Sequence, residues 1–135
     1  MQGEELATRT RVMLVEDQPD FRRLMVALLD RQPDLEVVAQ AGSLTEAREH
    51  AAVVRFDVAV LDLGLPDGNG ADLISYLRVT NPDVAVLILS ASLDPASLER
   101  AAQAGASEIM DKLSTPGELI GAIRRLGTAE SPDTV

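Results

Sequence analysis

An α/β fold with a doubly wound, five-stranded parallel sheet is predicted by three observations. Short apolar, β-branched runs recur about every 24 residues, at 12–15, 35–39, 58–61, 84–89 and, more weakly, 108–110. The stretches between them carry helical periodicity. The third and fourth runs are apolar throughout, as strands covered by helices on both faces must be.

Each element has its own local warrant. After the first run, Phe21, Leu24, Met25, Leu28 and Leu29 form an i, i+3, i+4, i+7, i+8 stripe, which predicts a helix with one buried face. The second run sets Glu36 and Gln40 against Leu35 and Val37, the alternation of an edge strand. Ser43 and Glu46 form a capping-box pair opening the second helix. Asn81-Pro82 closes the third, because a residue before proline is pushed out of the helical region. Gly105 suits the left-handed end of the fourth, and Thr115, Pro116 and Glu118 supply N-cap, N1 and N3 of the last. A period near 24 is also that of a leucine-rich solenoid, but the L-x-x-L-x-L-x-x-N signature does not recur.

At 135 residues the chain is the size of one domain. Only Phe21, Phe56 and Tyr76 are aromatic, so the core must be aliphatic and stacking platforms for bases are lacking. A net charge of −10 repels phosphate backbones and anionic membranes, so no nucleic-acid contact and no membrane association is expected of this chain. With no Cys and one His (His50), disulfide scaffolds and zinc modules are excluded. The opening MQGEELATRT lacks the basic and apolar regions of a leader, and no apolar run could span a bilayer, so a cytoplasmic location is expected.

In open parallel sheets, ligands bind beyond the carboxyl ends of the strands. The residues ending the runs are Glu16 and Asp17, Asp62, Ser90 and Lys112. Each has an ordinary explanation: a helix-dipole charge, a turn aspartate, a strand-end hydroxyl, a solvated lysine. Together, at the same end of successive strands, they converge on one rim. Crowded carboxylates repel unless a cation is shared among them, and an oxygen-only set favours Mg²⁺. Lys112 is the only lysine beside eleven arginines, a compact point charge suited to gripping one phosphoryl oxygen. Two motifs are rejected: PDGNGADL puts Asp72 where a calcium loop needs Gly, and Gly64, Gly68 and Gly70 do not fit G-x-G-x-x-G.

The segments VMLVEDQPDFRRLMVALL, VAVLDLGLPDGNGADLISYLR, PDVAVLILSA and AGASEIMDKLSTPGELIGAIRRL resemble the receiver domain of bacterial two-component response regulators, most closely the LuxR/NarL type. The resemblance implies a receiver over 11–126 with a flavodoxin-like (βα)5 fold and strand order 2-1-3-4-5. Residues 1–10 become a disordered N-terminal tail, and 127–135 a C-terminal tail or linker stub. It makes Asp62 the phosphoacceptor, with Glu16, Asp17, Asp62 and the Gly64 backbone carbonyl serving Mg²⁺. Ser90 takes the place of the switch hydroxyl and Lys112 that of the phosphate-gripping lysine. A sensor histidine kinase or phosphotransfer protein is the implied donor. The fourth helix, fifth strand and fifth helix form the implied output face, with homodimerisation on phosphorylation open and transcription, through a DNA-binding domain absent from this chain, the implied output. Two positions depart from the pattern: Ile109 stands where an aromatic switch residue is usual, and Leu113 where many relatives have proline, so that a cis bond, costing about 3 kcal/mol, is not expected. Two other readings stay open, a degenerate receiver used only for docking or dimerisation, and an aspartyl-phosphate phosphohydrolase. The hydrolase wants a second acid two residues after its nucleophile, where this chain has Gly64.

Overall fold

The computed structural model, which describes residues 9–128, contains the five expected strands in one parallel sheet. They are β1 (Thr10–Val15), β2 (Leu35–Ala41), β3 (Val58–Leu61), β4 (Ala85–Ser90) and β5 (Glu108–Asp111), in the order β2-β1-β3-β4-β5. Between and after them lie α1 (Pro19–Asp30), α2 (Leu44–Ala51), α3 (Ile74–Thr80), α4 (Pro95–Ala104) and α5 (Pro116–Gly127). This is the flavodoxin-like topology, with the strand order 2-1-3-4-5 expected from the sequence. The LGLPDGNG stretch after β3 forms a small hairpin, Gly64–Leu65 against Gly68–Asn69, followed by a 3-10 turn over Gly70–Leu73.

Strand alternation divides the core into two layers. Val12 and Leu14, Val58 and Val60, and Leu87 and Leu89 point to one face, where Met25 and Leu29 of α1 and Leu119, Ala122 and Ile123 of α5 cover them. Met13 and Val15, Ala59 and Leu61, and Val86 and Ile88 point to the other, covered by α2, α3 and Ala101 of α4. The sheet is therefore doubly wound, with two helices on one side and three on the other.

The edge strand departs from simple alternation. Val12 pairs with Val37 but Met13 pairs with Ala39, so Val38 is an extra residue in β2. The irregularity turns the strand over: Leu35 and Val37 face the α1 and α5 layer, whereas Ala39 and Ala41 face the other.

Helix ends follow the expected chemistry with one change of partner. Thr115 and Glu118 make a complete capping box. Ser43 Oγ accepts from Glu46 N at 3.1 Å, but the Glu46 carboxylate accepts from Gly42 N at 2.6 Å, one residue before the cap. Asp67, on the hairpin corner, accepts from Leu44 N at 2.8 Å and Thr45 N at 3.1 Å, tying the start of α2 to the loop after β3. Those N–H groups hold the Asp67 carboxyl below the usual aspartate range. Gly105 ends α4 with φ +100°, a left-handed conformation that costs glycine little.

Two boundaries need correction. β1 begins at Thr10, inside the stretch assigned to the amino-terminal tail, because Thr10 N donates to Asp34 O and its side chain is buried. α5 runs through Gly127, one residue into the assigned carboxyl-terminal tail. The rest of both tails, 1–8 and 129–135, lies outside the described residues. No helix among the described residues is long and apolar enough to cross a membrane.

Candidate functional site

Backbone bonds that extend the sheet by one residue fix the starting points of the site. Glu16 N donates to Ala41 O, Asp62 N to Val15 O and Lys112 N to Ser90 O. Three side chains from three strand ends are thereby launched from the carboxyl edge at neighbouring positions, with Ser90 as the last residue of β4.

The convergence is close. Lys112 Nζ lies 2.8 Å from Glu16 Oε1 and 2.9 Å from Asp62 Oδ2. The other oxygen of each carboxylate has its own donor, Gln18 N to Glu16 Oε2 at 3.1 Å and Gly64 N to Asp62 Oδ1 at 3.2 Å. Glu16 is 2% exposed and Asp62 8%. One carboxylate oxygen from each of Glu16, Asp17 and Asp62 lies within 4.8 Å of the others. A cleft of about 460 Å³, lined by Asp17, Asp62, Gly64, Asn69, Ser90, Ser92 and Lys112, opens over them to solvent. Ser90 Oγ donates to Ser92 O at 2.9 Å and accepts from Ser92 N at 3.2 Å, so its hydroxyl is held by its own loop. Every site residue read from the sequence is thus brought to one place, with Gly64 contributing backbone alone.

The electrostatics follow from the count of charges. Burial pushes the Glu16 carboxyl above its ordinary range; Lys112 and the Gln18 N–H oppose this, and Asp62 reinforces it. Burial alone would lower the Lys112 pKa, but hydrogen bonds and attraction from Glu16 and Asp62 outweigh it and raise the ammonium above an ordinary lysine. An isolated ion pair would lower its acid as it raised its base. Here one ammonium is shared between two carboxylates with a third beside them, so the lysine gains more than Glu16 does. The site is short of positive charge, and its donors are all oxygen. Such a set, open to water on one side, fits Mg²⁺.

The structure adds a residue that reads in the sequence only as a turn glycine. A Cβ on Gly70 would lie 2.1 Å from the Asp62 carbonyl oxygen and 3.3 Å from Leu63 Cα, contacts with backbone that cannot swing aside. Gly70 N also donates to Leu63 O at 2.8 Å, so the glycine is wedged against the peptide that carries Asp62. Gly70→Ala is expected to cost about 1–3 kcal/mol, read as a fall in the thermal midpoint, because the overlap must be relieved by moving backbone. A midpoint unchanged from wild type would overturn this account.

The departures are placed as well. Ile109 is half-buried against the α2 to α4 layer, while Leu113 is 90% exposed and preceded, like every described residue, by a trans peptide bond.

The model of the response regulator receiver domain family matches residues 12–124. Over 121 residues the chain is 40% identical to the DNA-binding transcriptional activator DevR/DosR of Mycobacterium tuberculosis, covering 90% of this chain and 56% of that protein. It is 35% identical over 117 residues to the transcriptional regulatory protein UhpA of Salmonella typhimurium, covering 87% and 58% respectively. The chain therefore spans just over half the length of these curated relatives. Among solved structures it is similar to the signal receiver domain of NarL from Mycobacterium tuberculosis, at 30% identity and a TM-score of 0.80 over 90% of this chain and 98% of that one. A LuxR-family response regulator from Aurantimonas sp. SI85-9A1 is 33% identical with a TM-score of 0.80, over 93% of this chain and 91% of that one.

Proposed function

Because the chain belongs to the response regulator receiver domain family, we propose that it accepts a phosphoryl group on Asp62 from a phosphohistidine of a sensor histidine kinase or phosphotransfer protein. The observation that carries this reading is the placement of Asp62, nearly buried, with Lys112 Nζ 2.9 Å from it and the open cleft above. An Asp62 oxygen forms the new O–P bond as the P–N bond of the donor breaks, and the departing imidazole keeps the electron pair. Phosphoryl transfer is mostly positioning and charge neutralisation. Lys112 grips an equatorial phosphoryl oxygen, and the backbone N–H of Gly64 holds the carboxylate in place. Glu16, Asp17, Asp62 and the Gly64 carbonyl would hold Mg²⁺, which supplies further neutralisation of the transferred group.

Ser90 supplies the response. To donate to a phosphoryl oxygen its hydroxyl must leave the Ser92 carbonyl, which frees the loop between β4 and α4. Movement of that loop would bias the face formed by α4, β5 and α5, with Ile109 moving as packing requires rather than as an aromatic rotamer. Similarity to transcriptional regulators supports control of transcription through a DNA-binding segment outside this chain. Self-association on phosphorylation is part of the same reading. Gly64 at the position of a second acid weighs against phosphohydrolase chemistry, and the complete set of Glu16, Asp17, Asp62, Ser90 and Lys112 weighs against a docking-only module.

Incubation with acetyl phosphate and Mg²⁺, followed by intact mass measurement and peptide mapping, tests the reading: one phosphoryl group on Asp62 is expected, and none anywhere would overturn it. Mg²⁺ alone should also raise the thermal midpoint, since a ligand at ten times its Kd stabilises by about 1.4 kcal/mol. The shift should be much smaller in Asp17→Asn. Equal shifts in both proteins would move the metal elsewhere.

A further inference from the structure

We propose that Phe21 is a positioning residue for this transfer, its ring face holding the Lys112 ammonium in place when the carboxylates that now hold it are drawn into the reaction. The inference rests on Asp62 being the phosphoacceptor. Lys112 Nζ lies 5.0 Å from the centroid of the Phe21 ring, within cation–π range, on a side chain only 14% exposed. Phe21 sits in the first turn of α1, whose start is set by Pro19.

The resting partners of the ammonium are Glu16 and Asp62. Both have other work once transfer begins: Asp62 bonds to phosphorus, and Glu16 belongs to the oxygen set that a divalent cation would engage. The attraction of an aromatic face is not consumed in this way. It has no lone pair to offer a metal and no proton to exchange, so the ring stays on the ammonium while Lys112 changes its anionic partner from Asp62 to a phosphoryl oxygen. The contact therefore fixes the ammonium where it must meet the phosphoryl group, so a weaker ring face is read in the rate through misplacement of that charge. A leucine would fill similar space without that pull.

The test varies the ring's electrostatics at nearly constant shape. Phe21 is replaced in the full chain by mono-, di- and trifluorophenylalanine, and phosphorylation by saturating acetyl phosphate with Mg²⁺ is followed by intact mass; the small donor removes any effect on kinase docking. The expected result is a stepwise fall in rate with fluorination, reaching about three- to ten-fold. Phe21→Tyr, which keeps a π face, should stay near wild type, and Phe21→Leu should fall to the level of the trifluoro variant. A rate flat across the fluorinated series, with wild type labelled on Asp62, overturns the inference and leaves the phosphoacceptor reading standing. Wild type that takes no label overturns that reading and this inference with it.

Discussion

Asp62→Asn is expected to take up no phosphoryl group from acetyl phosphate or from a kinase, while folding at least as well as wild type. The amide keeps the size of the side chain and an oxygen to accept from Gly64 N, now 3.2 Å away. What it loses is the anionic nucleophile, and an amide oxygen cannot replace it. Stability should not fall, because Lys112 retains Glu16 at 2.8 Å and one of three crowded negative charges disappears. Intact mass and a thermal melt on the same sample read both effects. A phosphoryl group still taken up by the Asp62→Asn variant would show that another side chain is the acceptor, and loss of fold would show that Asp62 is chiefly structural.

Lys112→Ala should have the largest effect on stability, a loss of about 2–3 kcal/mol near neutral pH. Removing the cation strands the buried Glu16 carboxylate beside Asp62, and breaking such a pair costs more than the pair contributes. The open cleft keeps the figure at the lower end. The sign of the pH dependence follows from Glu16. Its folded-state pKa is raised, so its ionisation opposes folding, and that penalty is absent at low pH and grows as pH rises through the raised range. Without Lys112 the upward shift is larger, so the stability gap to wild type should be widest near neutral pH and narrow on acidification. Urea titrations across that range measure the gap. A deficit independent of pH would assign the loss to the missing bulk of the partly buried lysine side chain rather than to its charge.

The parts of this molecule that could be read from its sequence are those with short-range signals. β3 and β4 announce themselves because strands covered on both faces must be apolar at every position. The candidate site was legible because strand ends share one edge of a parallel sheet, so Glu16, Asp17, Asp62, Ser90 and Lys112 could be placed together without knowing a distance. What escaped depends on partners far along the chain. Asp67 caps a helix 23 residues before it. Phe21 reads as one member of an apolar stripe, and only the meeting of α1 with the end of β5 sets it over Lys112. Gly70 resembles any turn glycine, because its constraint is the backbone of Asp62 folded against it rather than its own dihedral angles. Val38 is hidden in LEVVAQA, where nothing local marks which residue the ladder skips.

That skipped residue bears on how the molecule avoids sticking to copies of itself. β2 is an outer strand, and the open side of such a strand is a template on which another chain can build a ladder and so begin aggregation. A growing intermolecular sheet needs a run of evenly spaced donors and acceptors. The irregularity at Val38 breaks the run near its middle and twists the two halves apart, so that neither offers more than a few residues in one register. Glu36 adds a charge on the first half. Excising Val38 would straighten the edge while leaving Ala39 opposite Met13 and in its present layer, and so convert a self-limiting border into an adhesive one.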